Sequence, residues 1–426
     1  MHTTGHFRVL WGDGYDSQLP RWQDPDGDGV PSWVEVLGQA LEDAYSIQTG
    51  LGFPEPYGVD SCGIDPLGGC YVDAYVGNTG LVVDGQNVAI GSSFYAFTEI
   101  DTEYRVAYFV FNFQVIETPG VLRATAAHEL FHAVQRTMGY PWDAEGPWDG
   151  EAYISAARWD TEAWLLEASA TWLEEVTFPE VDDYIAYVNG FLAQPHVALN
   201  SLDGLHEYGA AVFAGYIWRL YGGAHLLRAV YENAYGLEVE PALRAALSDR
   251  GAGALEDVLA GFWARAAEPS TVFWPDADQF VPAAPLATVT SVPATVYPTS
   301  RTRPGRFGAN VIRLAADTLP AAVGMEWTDP AQWRLAAQPE SGTGVGIATP
   351  EQALLVEIGA TDDAGYATLA VVNVSPGDGA KPYAVEIGGD GAIDATVQWR
   401  ESAELPPVAT GGSGGDGGCF LRTLGR

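Results

Sequence analysis

His128-Glu129-Leu130-Phe131-His132 sets two imidazoles four positions apart with a carboxylate beside the first, inside a run from Thr125 to Gln135 that reads as an amphipathic helix. At about 3.6 residues per turn, both histidines project from one face and can reach a single metal, while Glu129 is placed to polarise a water. Zinc brings the ionisation of a water it binds to near neutral pH, which supplies a hydrolytic nucleophile. The bland alternative is two histidines satisfied in a helix interface. With only 7 His in 426 residues, this spacing is an uncommon accident.

A candidate third ligand follows the Gly-, Pro- and Trp-rich stretch 139–160. The run Trp164 to Glu175 has a second helical pattern, in which Glu167 is flanked by Leu165, Leu166, Ala168 and Trp172. A carboxylate in such apolar company is costly unless it is paired or bound to a metal. Two His and one carboxylate leave a fourth position for water, which marks a catalytic rather than a closed structural site. A carboxylate should also orient one imidazole through its other nitrogen, but the acids are too numerous to choose among.

His128-Glu129-Leu130-Phe131-His132 followed by Trp164-Leu165-Leu166-Glu167-Ala168-Ser169-Ala170-Thr171-Trp172 resembles the zincin metallopeptidases of the HExxH-plus-glutamate, gluzincin-like kind, and more narrowly a set of secreted bacterial metallopeptidases. The resemblance covers roughly residues 5–265. It implies Zn2+ held by His128, His132 and Glu167, with Glu129 as general base. It also implies a Tyr or His from a later helix at the developing oxyanion. Tyr208 fits that role first and His206 second, in the run His206-Glu207-Tyr208-Gly209; a tyrosine anchoring a helix start is the other reading of Tyr208. A zincin also uses a strand at the sheet edge to pair with an extended peptide.

A second metal motif lies near the N-terminus. Asp24, Asp26, Asp28, Val30, Ser32 and Glu35 occupy the first, third, fifth, seventh, ninth and twelfth places of a calcium loop of EF-hand type, with Gly29 at the turn. Pro31 is unusual there and no helix clearly precedes Asp24, so the expectation is a lone loop leading into one helix, with a structural Ca2+. An Asp/Gly-rich surface turn is the alternative.

Composition limits the partners. Asp+Glu 56 against Lys+Arg 20 gives a net charge of −36, and Lys381 is the single lysine. Nucleic acid and anionic membranes are poor partners for such a chain, and a protein or peptide substrate is the expectation. No stretch reads as a stable membrane insertion or as a signal peptide, so either the leader is absent from this chain or the protein stays inside; the calcium-type loop and the pair Cys62 and Cys70 favour secretion or surface display. Cys62 and Cys70 flank a turn-rich segment that a disulfide could close, or they are two inert thiols. The Gly-rich tail 404–426 with Cys419 resembles the tails of surface-sorted bacterial proteins, implying cell-surface attachment; an incidental Cys on a disordered end reads equally well.

The expected fold class is α+β: a zincin-like domain over 1–268, sheet-rich to 120 and helical from 121, then an antiparallel β-sandwich over 280–403. Strands are expected at Phe7–Trp11, Cys70–Val76 and Tyr104–Val115, and the motif helix at Gly120–Gly139. Two function classes follow. One is a zinc endopeptidase; the other is a catalytically inactive, calcium-stabilised surface-binding protein on a metallopeptidase-like fold. Glu129 favours the first, since a structural zinc has no use for it.

Overall fold

The computed structural model describes residues 1–56, 71–101, 106–138, 156–234, 237–327, 333–337, 345–349, 354–356, 365–377 and 379–389. Cys62, Cys70 and Cys419, and with them the expected disulfide and tail, lie outside the described residues. The fold is α+β. In chain order its first elements are β1 (His2–Thr3), β2 (Phe7–Leu10), α1 (Ser32–Gly50), β3 (Val72–Val76), β4 (Val82–Val83), β5 (Gln86–Asn87), β6 (Ala96–Asp101), β7 (Val106–Phe111), α2 (Pro119–Thr137) and α3 (Ala156–Thr177). Helices continue with α4 (Ile185–Leu192), α5 (His206–Gly209), α6 (Ala211–Tyr221), α7 (Ala224–Ala234), α8 (Val239–Asp249) and α9 (Leu255–Ala266). Strands then follow: β8 (Pro285–Val289), β9 (Ala294–Val296), β10 (Ala309–Ala315), β11 (Ala321–Trp327), β12 (Trp333–Ala337), β13 (Gly346–Ala348), β14 (Leu354–Val356), β15 (Tyr366–Asn373) and β16 (Tyr383–Gly389).

Two compact units interleave along the chain. Among the described residues the first holds Met1–Tyr184 and Leu220–Ala246, the second Ile185–Arg219 and those from Leu247 on. The boundary expected at 268 does not coincide with this division. The reason is packing: α9 lies against β12 and β15, so the last helix of the expected catalytic domain belongs to the C-terminal sheets.

In the first unit a five-stranded sheet runs β1-β2-β3-β7-β6, with β2, β3 and β7 parallel and β1 and β6 antiparallel at the edges. Its inward residues alternate along the strands, Phe7 and Val9, Val72 and Ala74, Phe109 and Phe111, and they share one core with Leu37 and Leu41 of α1 and with Leu122, Ala126 and Leu130 of α2. Burying each such Phe or Leu contributes roughly 1.5–3 kcal/mol before chain entropy is charged. The strand expected before the motif helix is β7, but it is interior. The edge beside β7 belongs to β6, a segment the sequence reading did not single out.

The start of α2 is explained locally. Thr118 caps it by accepting a hydrogen bond from the Val121 N–H at 3.2 Å, and Pro119 takes the first turn, where no N–H is needed. From Ala124 to Gln135 every residue is buried, because α1 and β6 pack on this helix and α3 packs on it as well. Buried polar residues on such a helix must therefore find partners within it or across to its neighbours.

In the second unit α5 packs on α4. A Cβ at Gly209 would come within 2.4 Å of Phe191 and 2.6 Å of the Tyr187 carbonyl, so only glycine fits that approach. Two sheets follow, ordered β13-β12-β15-β10-β8 and β14-β11-β16-β9, and their side chains contribute to a single cluster around Trp333, Met325 and Leu369. The pairing is antiparallel with one departure from expectation: β8 runs parallel to β10. A chain entering beside β10 in the same direction needs a crossover rather than a hairpin, and β9 in the other sheet lies along that path.

Candidate metal centre

His128 and His132 lie one turn apart on α2, and Glu167 on α3 faces them; all three are buried. The Nε2 atoms of the two histidines are 3.0 Å apart, and Glu167 Oε2 stands 3.2 Å from His128 Nε2 and 3.6 Å from His132 Nε2. Three donors bound tetrahedrally at about 2.0–2.1 Å would be separated by about 3.3 Å. The observed triangle therefore fits one small divalent ion bound by two nitrogens and an oxygen. Two imidazoles select a transition metal over Ca2+ or Mg2+, which prefer oxygen throughout.

Each imidazole is held from behind. Glu174 Oε1 sits 2.6 Å from His128 Nδ1 and Gln135 Oε1 sits 2.8 Å from His132 Nδ1. Both oxygens accept, so both Nδ1 atoms carry hydrogen, and with a metal bound each Nε2 lone pair would turn toward the common point. Gln135 is itself fixed: its Nε2 donates to the Leu166 carbonyl at 3.1 Å and to Ser169 Oγ at 3.1 Å, while Tyr231 of α7 donates to the Leu165 carbonyl at 3.1 Å and bonds Ser169. Three helices thus lock one glutamine.

Electrostatics follow from this packing. Burial works to lower the His128 pKa, but hydrogen bonds to Glu167 and Glu174 outweigh it and push it up to about 10. Burial would raise Glu167, and the neighbouring His132 and His128 reverse that and hold it below the usual carboxylate range. Glu129 is raised, with burial outweighing the attraction of His132 and His128. Behind Glu174, burial and that carboxylate's charge push Asp183 well above its ordinary value.

The acidic loop is a different kind of structure. Carboxylates of Asp24, Asp26 and Asp28 converge at the surface. Asp24 accepts from the Gly27 and Gly29 N–H groups, each at 2.8 Å, and Asp28 accepts from Val30 N at 2.8 Å. Gly29 adopts φ 90°, which the turn demands. Ser32 opens α1, and a single 3-10 turn, Pro20–Trp22, precedes the loop. Glu35 lies outside the tight trio, although burial first and then the charges of Asp26 and Asp28 raise its carboxyl.

His206 and Tyr208 fall in the second unit, on α5. Asp203 fixes His206: its carboxylate accepts from the His206 backbone N–H at 2.9 Å and sits 2.7 Å from Nδ1. His206 Nε2 is buried and has no hydrogen-bond partner among the described residues. Burial would raise Asp203, but the His206 contacts bring it down to about 2. Tyr208 is buried with its ring 5.2 Å from that of Tyr187.

Comparison of the sequence with protein-family models and with curated proteins gave no match. The site therefore rests on its own geometry. Sequence reasoning named the three convergent residues and missed their supports, each of which left a trace. Glu174 lies two turns beyond Glu167 on the same stripe, Gln135 is one turn beyond His132, and Asp203 precedes His206 at capping distance.

Proposed function

We propose that this protein is a zinc-dependent endopeptidase on a zincin-like fold. The observation that carries the reading is the His128–His132–Glu167 triangle with Glu129 beside it on α2. Zinc would be held by those three residues and would supply a Lewis acid that activates water and polarises the scissile carbonyl. Glu129 takes a proton from the attacking water and returns it to the leaving amine; its buried, raised carboxyl suits the return step. Glu174 and Gln135 keep both imidazoles in the ligating tautomer.

For the oxyanion, Tyr208 first and His206 second stay the proposed donors, as the sequence reading has them. The acidic loop would hold a structural Ca2+ through Asp24, Asp26 and Asp28, the Val30 carbonyl, Ser32 and Glu35. The two C-terminal sheets read as a β-sandwich accessory domain. Secretion or surface display fits the acidic composition and the calcium-type loop, with proteins or peptides as substrates and no nucleic acid partner. No helix among the described residues is long and apolar enough to cross a membrane.

The test is elemental analysis of purified wild type and Glu129→Ala, paired with an assay on unfolded casein. About one zinc per chain in both proteins, with chelator-sensitive cleavage by wild type alone, supports the reading. Zinc retained with no peptide cleaved moves the inactive binding protein to the front.

A further inference from the structure

Thr98 is a buried hydroxyl in a place built for an apolar side chain. On β6 it shares the inward register with Ala96, opposite Phe109 of β7, and both neighbours are fully buried. Valine would serve the strand and the core equally well. The hydroxyl therefore has a partner to meet. Oγ1 lies 2.6 Å from Glu129 Oε2 and 2.8 Å from the Glu129 carbonyl oxygen.

The one hydroxyl hydrogen must choose between these acceptors. Glu129 sits mid-helix in α2, where its carbonyl already accepts from the chain four residues on, whereas its carboxyl oxygen is buried and nearer. Oε2 is the stronger acceptor and takes the hydrogen. Other threonines of this region show the contrast: Thr125 bonds back to the Val121 carbonyl of its own helix, while Thr98 reaches from the sheet edge to a side chain on α2.

We infer that Thr98 is a positioning residue for Glu129: it ties down Oε2, so that the carboxylate offers its other oxygen to the water and then to the leaving nitrogen. The inference rests on the endopeptidase reading for its kinetic consequence, and on the hydrogen bond alone for its structural one. Because Thr98 belongs to the edge strand β6, the base and that edge are held in one register. The residue exchanges no proton with substrate and is not itself a catalytic group.

The full-length, zinc-loaded chain is compared as wild type, Thr98→Val and Thr98→Ser. Valine keeps the shape and removes the donor; serine restores the donor. The expected result on a casein-derived peptide is a kcat lower by about 10- to 100-fold in Thr98→Val, with KM and zinc content within about twofold and Thr98→Ser within about threefold of wild type. Crystal structures supply a readout that needs no turnover: the Glu129 carboxylate keeps one orientation in Thr98→Ser and leaves it in Thr98→Val. Should Thr98→Val fail to fold, Thr98→Ala carries the same comparison. Equal losses in Val and Ser, or a Glu129 that stays in place with kcat within about twofold in Val, overturn the assignment. A wild type that cleaves nothing defeats the endopeptidase reading, while the Glu129 orientations still decide the role of Thr98.

Discussion

The buried centre at His128, His132 and Glu167 and the exposed loop at Asp24, Asp26 and Asp28 both gather metal-type ligands in the first unit, yet they are prepared in opposite ways. At the centre, ligands are aimed by other side chains: Glu174 and Gln135 set the tautomers, and Ser169 and Tyr231 set Gln135. In the loop, the carboxylates spend their lone pairs on the loop's own N–H groups, as Asp24 does with Gly27 and Gly29. The first site is organised by tertiary packing, the second by local turns. A preorganised buried site suits chemistry, and a surface loop suits a replaceable structural ion.

The largest effect expected separates the two directly. Glu129→Ala should lower kcat/KM by about 10²- to 10⁴-fold, or roughly 3–5 kcal/mol, with metal content unchanged, whereas Asp26→Ala should leave turnover within about twofold. A Glu129→Ala enzyme that still works would remove the asymmetry.

Metal removal comes next. Stripping a metal present at about 1,000 times its Kd should cost about 4 kcal/mol of unfolding free energy, read by calorimetry with and without a chelator selective for transition metals. In the stripped protein His128 adds a pH dependence. Its pKa rises from 6.5 to about 10 on folding, so its contribution is complete below about 6.5 and disappears as the pH climbs through about 10. Urea unfolding of stripped protein should therefore show stability falling across that window. A flat profile would mean that Glu167 and Glu174 do not hold the histidine as described.

A smaller effect tests the support behind the ligands. Glu174→Gln should weaken zinc by about 10- to 100-fold in competition with a chromophoric chelator, because the amide holds the ring less firmly than the carboxylate. Smallest should be the loop: with Ca2+ at about five times its Kd, wild type gains about 1 kcal/mol of stability, which Asp26→Ala with Asp28→Ala should lose. No calcium-dependent shift in wild-type Tm would make the loop a plain surface turn.

Much of this was legible in the chain. The His-Glu-x-x-His spacing needs only helical periodicity to become a pair of imidazoles on one helix face. The run around Glu167 was readable because a lone carboxylate among Leu and Trp must have a partner. Less visible was Ala96–Asp101, which alternates weakly and became an edge strand through its pairing with β7. Also hidden was the affiliation of α9, whose apolar face fits a sheet as well as it fits another helix.

By itself the sequence determined the candidate ligand types, their one-turn spacing, the acidic loop and the succession of sheet, helices and sheets, because these follow from periodicities of two and about 3.6 residues. Only the tertiary structure decided which of many acids stands behind His128, which hydroxyl holds Glu129, and that Tyr231 closes the network around Gln135. Those partners lie tens of residues apart in sequence. Their meeting depends on how α2, α3, α7 and β6 pack, and local propensity carries no information about that.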